Sequence, residues 1–314
     1  MAHSMIRGLL LACAMLALTA CKESNTAADV AAEDNTGVRL LDKGQRPRAE
    51  LRYSISAGTA TSSTTTFRVA TLATAESSET AALTILPGLR LDIVSGPAEQ
   101  TDRGVKFKVD VVKSEAVVPA GFDETLAKQL RDGAAVADNI GGWVEVDDRG
   151  QVLAGDFNEQ TKRSDVPVRL LRMLVNSRET LTRVRLPEEK VGLGARWEAR
   201  RQIKAYGFDI QQVNTYTLVD RVGDEIMLNV TVQQMALPQT IEFPEEGIVI
   251  SVQSMTAQVD GQIILDLDAL ESDASANGTA EDHLLIKTPD GAEAIDINEE
   301  FEIQVANTSG LFGN

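Results

Sequence analysis

Alternation of apolar and polar residues recurs along this 314-residue chain and limits what it can fold into. Every second position from Val105 to Val111 is valine or phenylalanine, and the pattern returns from Ile226 to Val232. Leu51 to Ile55 also alternates, and Thr61 to Val69 is rich in β-branched residues. A period of two places the apolar side chains on one face of a strand. These segments therefore predict half-buried antiparallel strands.

The C-terminal third continues the same pattern. Strands are predicted from Gly247 to Val259 and from Gln262 to Leu267, around a turn at Asp260-Gly261. Ser272 to Asp282 is predicted as a polar loop, and strands resume at Leu284 to Lys287. The last strand carries Phe301, Ile303 and Val305 in alternation after a turn at Pro289-Asp290-Gly291.

A helical insertion is predicted between the two β-rich regions. Asp123 can cap a short helix that reaches about Arg131, and Asp148-Arg149-Gly150 turns a hairpin. Ser164 or Asp165 can cap a longer amphipathic helix that ends before Pro187. The predicted fold class is mainly antiparallel β, as a curved sheet or half-barrel, with a two-helix insertion packed on one face, α+β overall.

The first 45 residues differ from the rest in composition. Arg7 precedes an uncharged apolar run from Leu9 to Leu18, which is too short to span a bilayer and is typical of a signal peptide. From Lys22 the chain is polar and without periodicity, as a flexible tether would be. Long strands end at Val118-Pro119 and Leu237-Pro238, which indicates a weak internal repeat. The predicted organisation is a signal peptide (1–20), a lipidated tether (21–45), a β-rich region (46–306; halves 46–120 and 191–306 around the insertion 121–190) and a tail (307–314).

The run Leu18-Thr19-Ala20-Cys21 resembles the lipobox of bacterial lipoprotein precursors. The resemblance implies diacylglycerol on Cys21, a membrane anchor in the cell envelope and, with Lys22 next to the cysteine, the outer membrane. Ordinary signal cleavage beside a coincidental cysteine is the alternative. Residues 186–197, with Gly192, Gly194 and Trp197, also resemble a segment of uncharacterised bacterial envelope lipoproteins.

Few residues can supply catalytic chemistry. On the lipoprotein resemblance, Cys13 leaves with the signal peptide and Cys21 is acylated, and His283 is then the one histidine of the mature chain. A zinc site of His and Cys ligands or a Cys-His dyad is therefore excluded. Paired-carboxylate chemistry stays open, because 47 acidic residues always supply a pair. We expect no enzyme activity, no cofactor and no metal site.

One segment copies part of a calcium loop. Residues 273–281 place oxygen ligands at positions 1, 3, 5 and 9 and Gly278 at position 6. Position 12 is Leu284, where a bidentate glutamate belongs, and neither flank reads as helix. We therefore prefer a polar loop between strands.

Charge is distributed unevenly along the mature chain. It carries 29 basic and 47 acidic residues, a balance of −18, which disfavours nucleic acid as a partner. Residues 160–204 are basic (12 against 5), whereas residues 205–314 are acidic (2 against 20). Arg169, Arg172 and Arg183 share one face of the predicted long helix. This strip can meet an anionic partner, or it can neutralise the acidic C-terminal region, which we prefer.

Two functional hypotheses follow. The first is a non-catalytic envelope lipoprotein that binds a hydrophobic or amphiphilic ligand between sheet and helices, by analogy with half-barrel lipoprotein carriers. The second is a structural or interaction lipoprotein that tethers a partner protein at the membrane. An apolar cavity would favour the first hypothesis, and a filled core with an exposed edge strand would favour the second.

Overall fold

The chain folds into one large antiparallel β-sheet. A computed structural model describes residues 37–75, 82–118, 122, 124–135, 138, 140–158, 181–205, 208–243, 248–289 and 291–307. Its elements in chain order are β1 (Val38–Asp42), β2 (Thr61–Ala75), β3 (Ala82–Ser95), β4 (Glu99–Gln100), β5 (Val105–Val117), α1 (Glu124–Ala134), β6 (Gly141–Val146), β7 (Val152–Phe157), β8 (Arg196–Ala205), β9 (Phe208–Val222), β10 (Glu225–Ala236), β11 (Gln239–Phe243), β12 (Ile248–Asp266), β13 (Asp273–Thr288) and β14 (Gly291–Asn307).

Both predicted β halves lie in this one sheet. Its spatial order is β1, β8, β9, β10, β12, β13, β14, β2, β3, β5, β6, β7, while β11 pairs with β12 and β4 with β5. The halves meet where β14 pairs with β2, over thirteen residue pairs from Ile295 opposite Ala75 to Asn307 opposite Ser63. The internal repeat stays a prediction.

The sheet is strongly curved. Strands β8 and β6 are second and eleventh in its order, so nine spacings of about 4.8 Å would separate them by roughly 43 Å in a flat sheet. Two consecutive residues, Arg185 and Leu186, nevertheless bond to both of these distant parts of the sheet. The Trp197 indole on β8 donates to the Arg185 carbonyl at 2.8 Å, and the Leu186 amide donates to the carbonyl of Arg149, in the β6–β7 turn, at 2.9 Å. These two hydrogen bonds therefore hold β8 close to the β6–β7 turn, and we call this end of the sheet the base.

A non-strand segment crosses the base. We call residues 43–60 the strap. Leu51 and Ile55 of the strap are buried, and its backbone amides bond to turns all around the base: Ala49 to Val191, Tyr53 to Asp148, Ser54 to Leu267 and Gly58 to Ala98. The prediction of a strand from Leu51 to Ile55 is wrong, because this segment buries alternate side chains but pairs with single carbonyls rather than with a neighbouring strand.

The main core fills the concave, inner face of the sheet near the base. Its largest fully buried side chains come from the strap, from the segment before β8 and from strands across the sheet: Leu51, Leu91, Ile93, Leu186, Trp197, Tyr216, Leu218, Ile226, Leu228 and Ile263. The rings of Trp197 and Tyr216 pack with centroids 5.6 Å apart. Burying a side chain of this size contributes about 1.5 to 3 kcal/mol, so the base is the most stabilised part of the sheet.

The predicted α+β class with a two-helix insertion packed on one face is wrong. In the described part of the insertion, one helix is present, α1, and the hairpin β6–β7 extends the sheet instead of leaving it. Helix α1 packs against β3 and β5 and buries Ala127 and Ala134. Most of the predicted long helix lies outside the described residues; of those that are described, Leu181 and Thr182 are helical.

Three other boundaries differ from the sequence prediction. The polar loop predicted at Ser272–Asp282 is part of β13, paired on both sides with β12 and β14. No turn interrupts β12 at Asp260-Gly261. The predicted tether ends earlier, because Val38–Asp42 pairs with β8 as β1.

Candidate ligand-binding face of the sheet

One cross-strand row of the inner face is polar at both ends. Backbone pairing aligns seven residues of seven neighbouring strands, which we call the inner row: Arg201, Gln212, Gln234, Ala257, Ala280, Glu299 and Thr71. On the base side of this row lies the main core. On the other side, the next inward positions are again mostly apolar, from Ile203 through Met255 to Ala73. The inner row therefore separates two apolar regions of the same face.

A hydrogen-bond network occupies the β8–β10 end of the inner row. Gln212 is 1% exposed, and its carbonyl oxygen, turned towards Arg201, accepts from Nε at 2.9 Å and Nη2 at 3.0 Å. The Gln212 side-chain amide is 2.7 Å from those of Gln234 and Asn214, and Asn214 is 2.9 Å from the Tyr216 hydroxyl. Buried amides are costly unless they are satisfied in this way. The network therefore fixes the Arg201 guanidinium on the inner face.

Two carboxyl groups occupy the β13–β14 end. Glu299 lies in the inner row and accepts a hydrogen bond from the Thr71 hydroxyl at 3.1 Å. Asp282 faces inward one position further from the base, and its buried Oδ1 atom has no hydrogen-bond partner among the described residues. Burial and the neighbouring Glu299 charge together raise the pKa of Asp282 to about 7, while the His283 charge opposes that shift. Burial also raises the pKa of Glu299, while the Thr71 hydroxyl opposes that shift.

The apolar region beyond the inner row is less completely packed than the base. Its fully buried members form two small clusters, one around Ile210 and Val252 and one around Ile286 and Ile295. Its other side chains stay partly exposed: Ile203, Ile241, Ile248, Ile250, Met255, Leu284 and Ile297. Half-buried apolar side chains on the inside of a curved sheet can gain about 25 cal/mol for each Å² that a ligand covers.

Small residues line the middle of the inner face. Every inward position of β13 from Ala274 to Ala280 is alanine or glycine. A Cβ on Gly278 would come within 2.6 Å of the Phe301 ring and of the Gln258 carbonyl oxygen. Gly261 of β12 is equally crowded, with the Ser275 carbonyl 2.6 Å from where its Cβ would lie. Glycine is therefore required here by close approach, and the curvature of the sheet depends on it.

Polar side chains are also buried at the base. Glu271 is 1% exposed and accepts a hydrogen bond from the Ser95 hydroxyl. The Tyr53 hydroxyl donates to the Val184 carbonyl at 3.0 Å, and burial raises the pKa of Tyr53 while the Arg183 charge opposes that shift. The Tyr53 bond holds the strap at the base.

The site residues predicted from sequence are only partly described. Cys21, Arg169 and Arg172 lie outside the described residues, so the lipidation site and the basic strip stay predictions. Arg183 is described: its guanidinium lies 5.2 Å from the Phe107 ring centroid, and the side chain is half-buried. Sequence reasoning missed the inner row. It also missed Asp282 beside that row, although Asp282 shares its parity with Leu284 and Ile286, because a loop was predicted there.

The remaining sequence candidates lie on the outer face. His283 pairs with Asp296 across β13 and β14, with Nδ1 2.7 Å from Oδ1, and this bond raises the pKa of His283. The four oxygen-bearing residues of the segment that partly copies a calcium loop are spread along one face of β13 instead of converging around a point. In the described ranges, no group of three or more His, Cys, Asp or Glu side chains is placed to hold a metal ion. No helix in the described part of the chain is long and apolar enough to cross a membrane.

Comparison with known proteins gives little. No family model matches the chain, and no curated protein matches it. Among solved structures, OmpT (in-vitro folded), an outer membrane protein of Vibrio cholerae in its trimer form, is 9% identical and covers 78% of this chain and 99% of its own. Its TM-score is 0.17, which carries no argument about fold or function.

Proposed function

We propose that this protein is a non-catalytic envelope lipoprotein, anchored by acyl chains on Cys21 in the outer membrane, which binds a hydrophobic or amphiphilic ligand on the inner face of its sheet. The observation that carries the proposal is the inner row, which lies beside a partly exposed apolar region. An amphiphile has the same division between a polar group and an apolar chain.

The ligand orientation follows from this division. Its polar group would lie along the inner row, where Gln234 and Thr71 carry groups that donate or accept hydrogen bonds. Its apolar part would cover Ile250, Leu284 and Ile297, away from the base. The reverse orientation would place a polar group against half-buried aliphatic side chains without partners, which costs free energy.

The alternative is a structural or interaction lipoprotein that tethers a partner protein. It is favoured by the filled core at the base and by β1, which forms one edge of the sheet in the described residues and exposes Arg39 and Leu41. An edge strand can pair with a strand of another protein.

Native mass spectrometry of the mature protein, incubated with a lipid extract, tests the proposal. Wild type should retain an amphiphile, and Ala280→Leu, which fills the middle of the inner row, should lose it. The matched control is Thr279→Leu, one position along the same strand on the exposed outer face. A wild-type protein that retains nothing, or an Ala280→Leu variant that binds as wild type does, would contradict ligand binding at this face.

A further inference from the structure

We propose that Asp282 and Glu299 form a proton-linked switch: one proton between them stabilises the packing of the inner side of β13 and β14, and its release loosens that part of the hairpin. The inference concerns the folded chain itself and does not depend on the proposed ligand.

The register brings the two carboxyl groups together. Asp282 is opposite Ile297, and Glu299 is opposite Ala280, so the two are diagonal neighbours on adjacent strands of one face. Diagonal positions of an antiparallel pair lie roughly 7 to 8 Å apart, within reach of long side chains. Two negative charges at that distance, both partly shielded from water, repel each other.

The surroundings offer little compensation. The inward positions around the pair belong to β12, β13, β14 and β2 and are uncharged: Met255, Ala257, Ala280, Leu284, Ile297 and Thr71. The charged residues adjacent in sequence to the pair are Glu281, His283 and Glu300, and their side chains lie on the opposite face of the sheet. Of these, His283 is the one whose positive charge lowers the pKa of Asp282.

The hydrogen bonds are equally sparse. Thr71 donates one bond to Glu299, and Asp282 Oδ1 receives none from the described residues. Neither carboxylate has a salt-bridge partner in the part of the chain that the structure describes. A proton on Asp282 removes the uncompensated charge, because a protonated carboxyl is far cheaper to bury than a carboxylate.

The pKa shifts agree with this geometry. Burial and Glu299 raise the pKa of Asp282 to about 7, against an ordinary value of 3.8 in the unfolded chain. The folded chain therefore binds one more proton than the unfolded chain between about pH 4 and pH 7. Stability from this site is greatest at the acidic end of the window and is lost as the pH rises through about 7.

Urea unfolding between pH 5 and pH 8 tests the switch. In wild type, this site should raise the unfolding equilibrium constant by up to about tenfold for each unit of increase in pH. Asp282→Asn is neutral at every pH and should flatten the profile. His283 also favours the lower pH, so the informative quantity is the difference between the two proteins. Glu300→Gln, a neighbour on the outer face, should retain the wild-type profile.

Hydrogen exchange locates the change. In wild type, amides of β13 and β14 near Asp282 should lose protection between pH 5.5 and pH 8 after correction for intrinsic rates, and in Asp282→Asn they should not. Identical pH profiles, or protection that does not depend on pH in wild type, would overturn the proposal.

A carboxyl titration by carbon-13 NMR keeps the test decisive if the variant does not fold. In wild type, one aspartate should titrate with a midpoint near 7, and Glu299→Gln should lower that midpoint. A set of aspartates that all titrate below about pH 5 would refute the switch.

Discussion

Trp197 is expected to stabilise this fold far more than Trp143, the other tryptophan of the chain. Trp197 is 0% exposed, and its indole N–H donates at 2.8 Å to the Arg185 carbonyl. The next residue, Leu186, bonds to the β6–β7 turn. In Trp197→Phe, the carbonyl loses its donor inside the core, which costs about 1 to 3 kcal/mol. The smaller ring leaves a gap worth about 1 kcal/mol more. We therefore expect the free energy of unfolding to fall by about 2 to 4 kcal/mol.

Trp143→Phe is the matched control. Trp143 is half-buried on the outer face of β6, with the Lys106 ammonium 4.0 Å from its ring centroid. Phenylalanine retains part of a contact worth about 0.5 to 1 kcal/mol, so this variant should lose no more than about 1 kcal/mol. Urea unfolding followed by far-ultraviolet circular dichroism compares both variants without relying on tryptophan fluorescence. If the two losses agree within about 0.5 kcal/mol, the inference that Trp197 joins the two sides of the base is wrong.

Three further outcomes are expected. Gly278→Val should lower stability by at least about 2 kcal/mol in thermal or urea unfolding, because its Cβ meets both a ring and a backbone carbonyl, whereas Thr279→Val, on the outer face, should be nearly neutral. Cys21→Ala should move the protein from the membrane to the soluble fraction, and a variant that resists a high-salt wash would contradict the lipoprotein prediction. Calcium should bind no tighter than roughly the millimolar range in a calorimetric titration, and micromolar binding lost in Asp273→Ala would show that the strand does not prevent it.

The sequence signal for strands was uneven: the β-branched run that starts β2 was predicted, whereas β3 was not, although it is rich in leucine and isoleucine. Alternation located β5 and β10, because valine, isoleucine and phenylalanine mark the inward positions. In the first part of β13, the inward positions from Ala274 to Ala280 are alanine or glycine, so the same period carried no hydrophobic signal and a loop was predicted instead. Gly261 led to the wrong prediction of a turn. This glycine is required by its close approach to Ser275, but in the sequence it looks like a turn residue.

The inner row could not be found from sequence for a different reason. Arg201, Gln234 and Glu299 lie up to about a hundred residues apart, and only the register of strands in the folded sheet aligns them. A shift of one residue in any pairing would turn the side chains of the shifted strand to the other face of the sheet. The strap posed a related problem, because Leu51 and Ile55 are spaced as in a strand although they fill the base from a segment without a partner strand.

The strap also sets an order of events during synthesis. It precedes β2 in the chain, yet Tyr53 bonds beside the β6–β7 turn and Ser54 bonds to Leu267, after β12. Contacts between such distant positions form slowly, because the whole intervening loop must first be closed. The earliest part of the folded region to leave the ribosome must therefore wait for nearly the last strands before it reaches its place. A chain truncated before β12 is expected to keep Leu51 and Ile55 exposed, which would make it a substrate for chaperones and proteases.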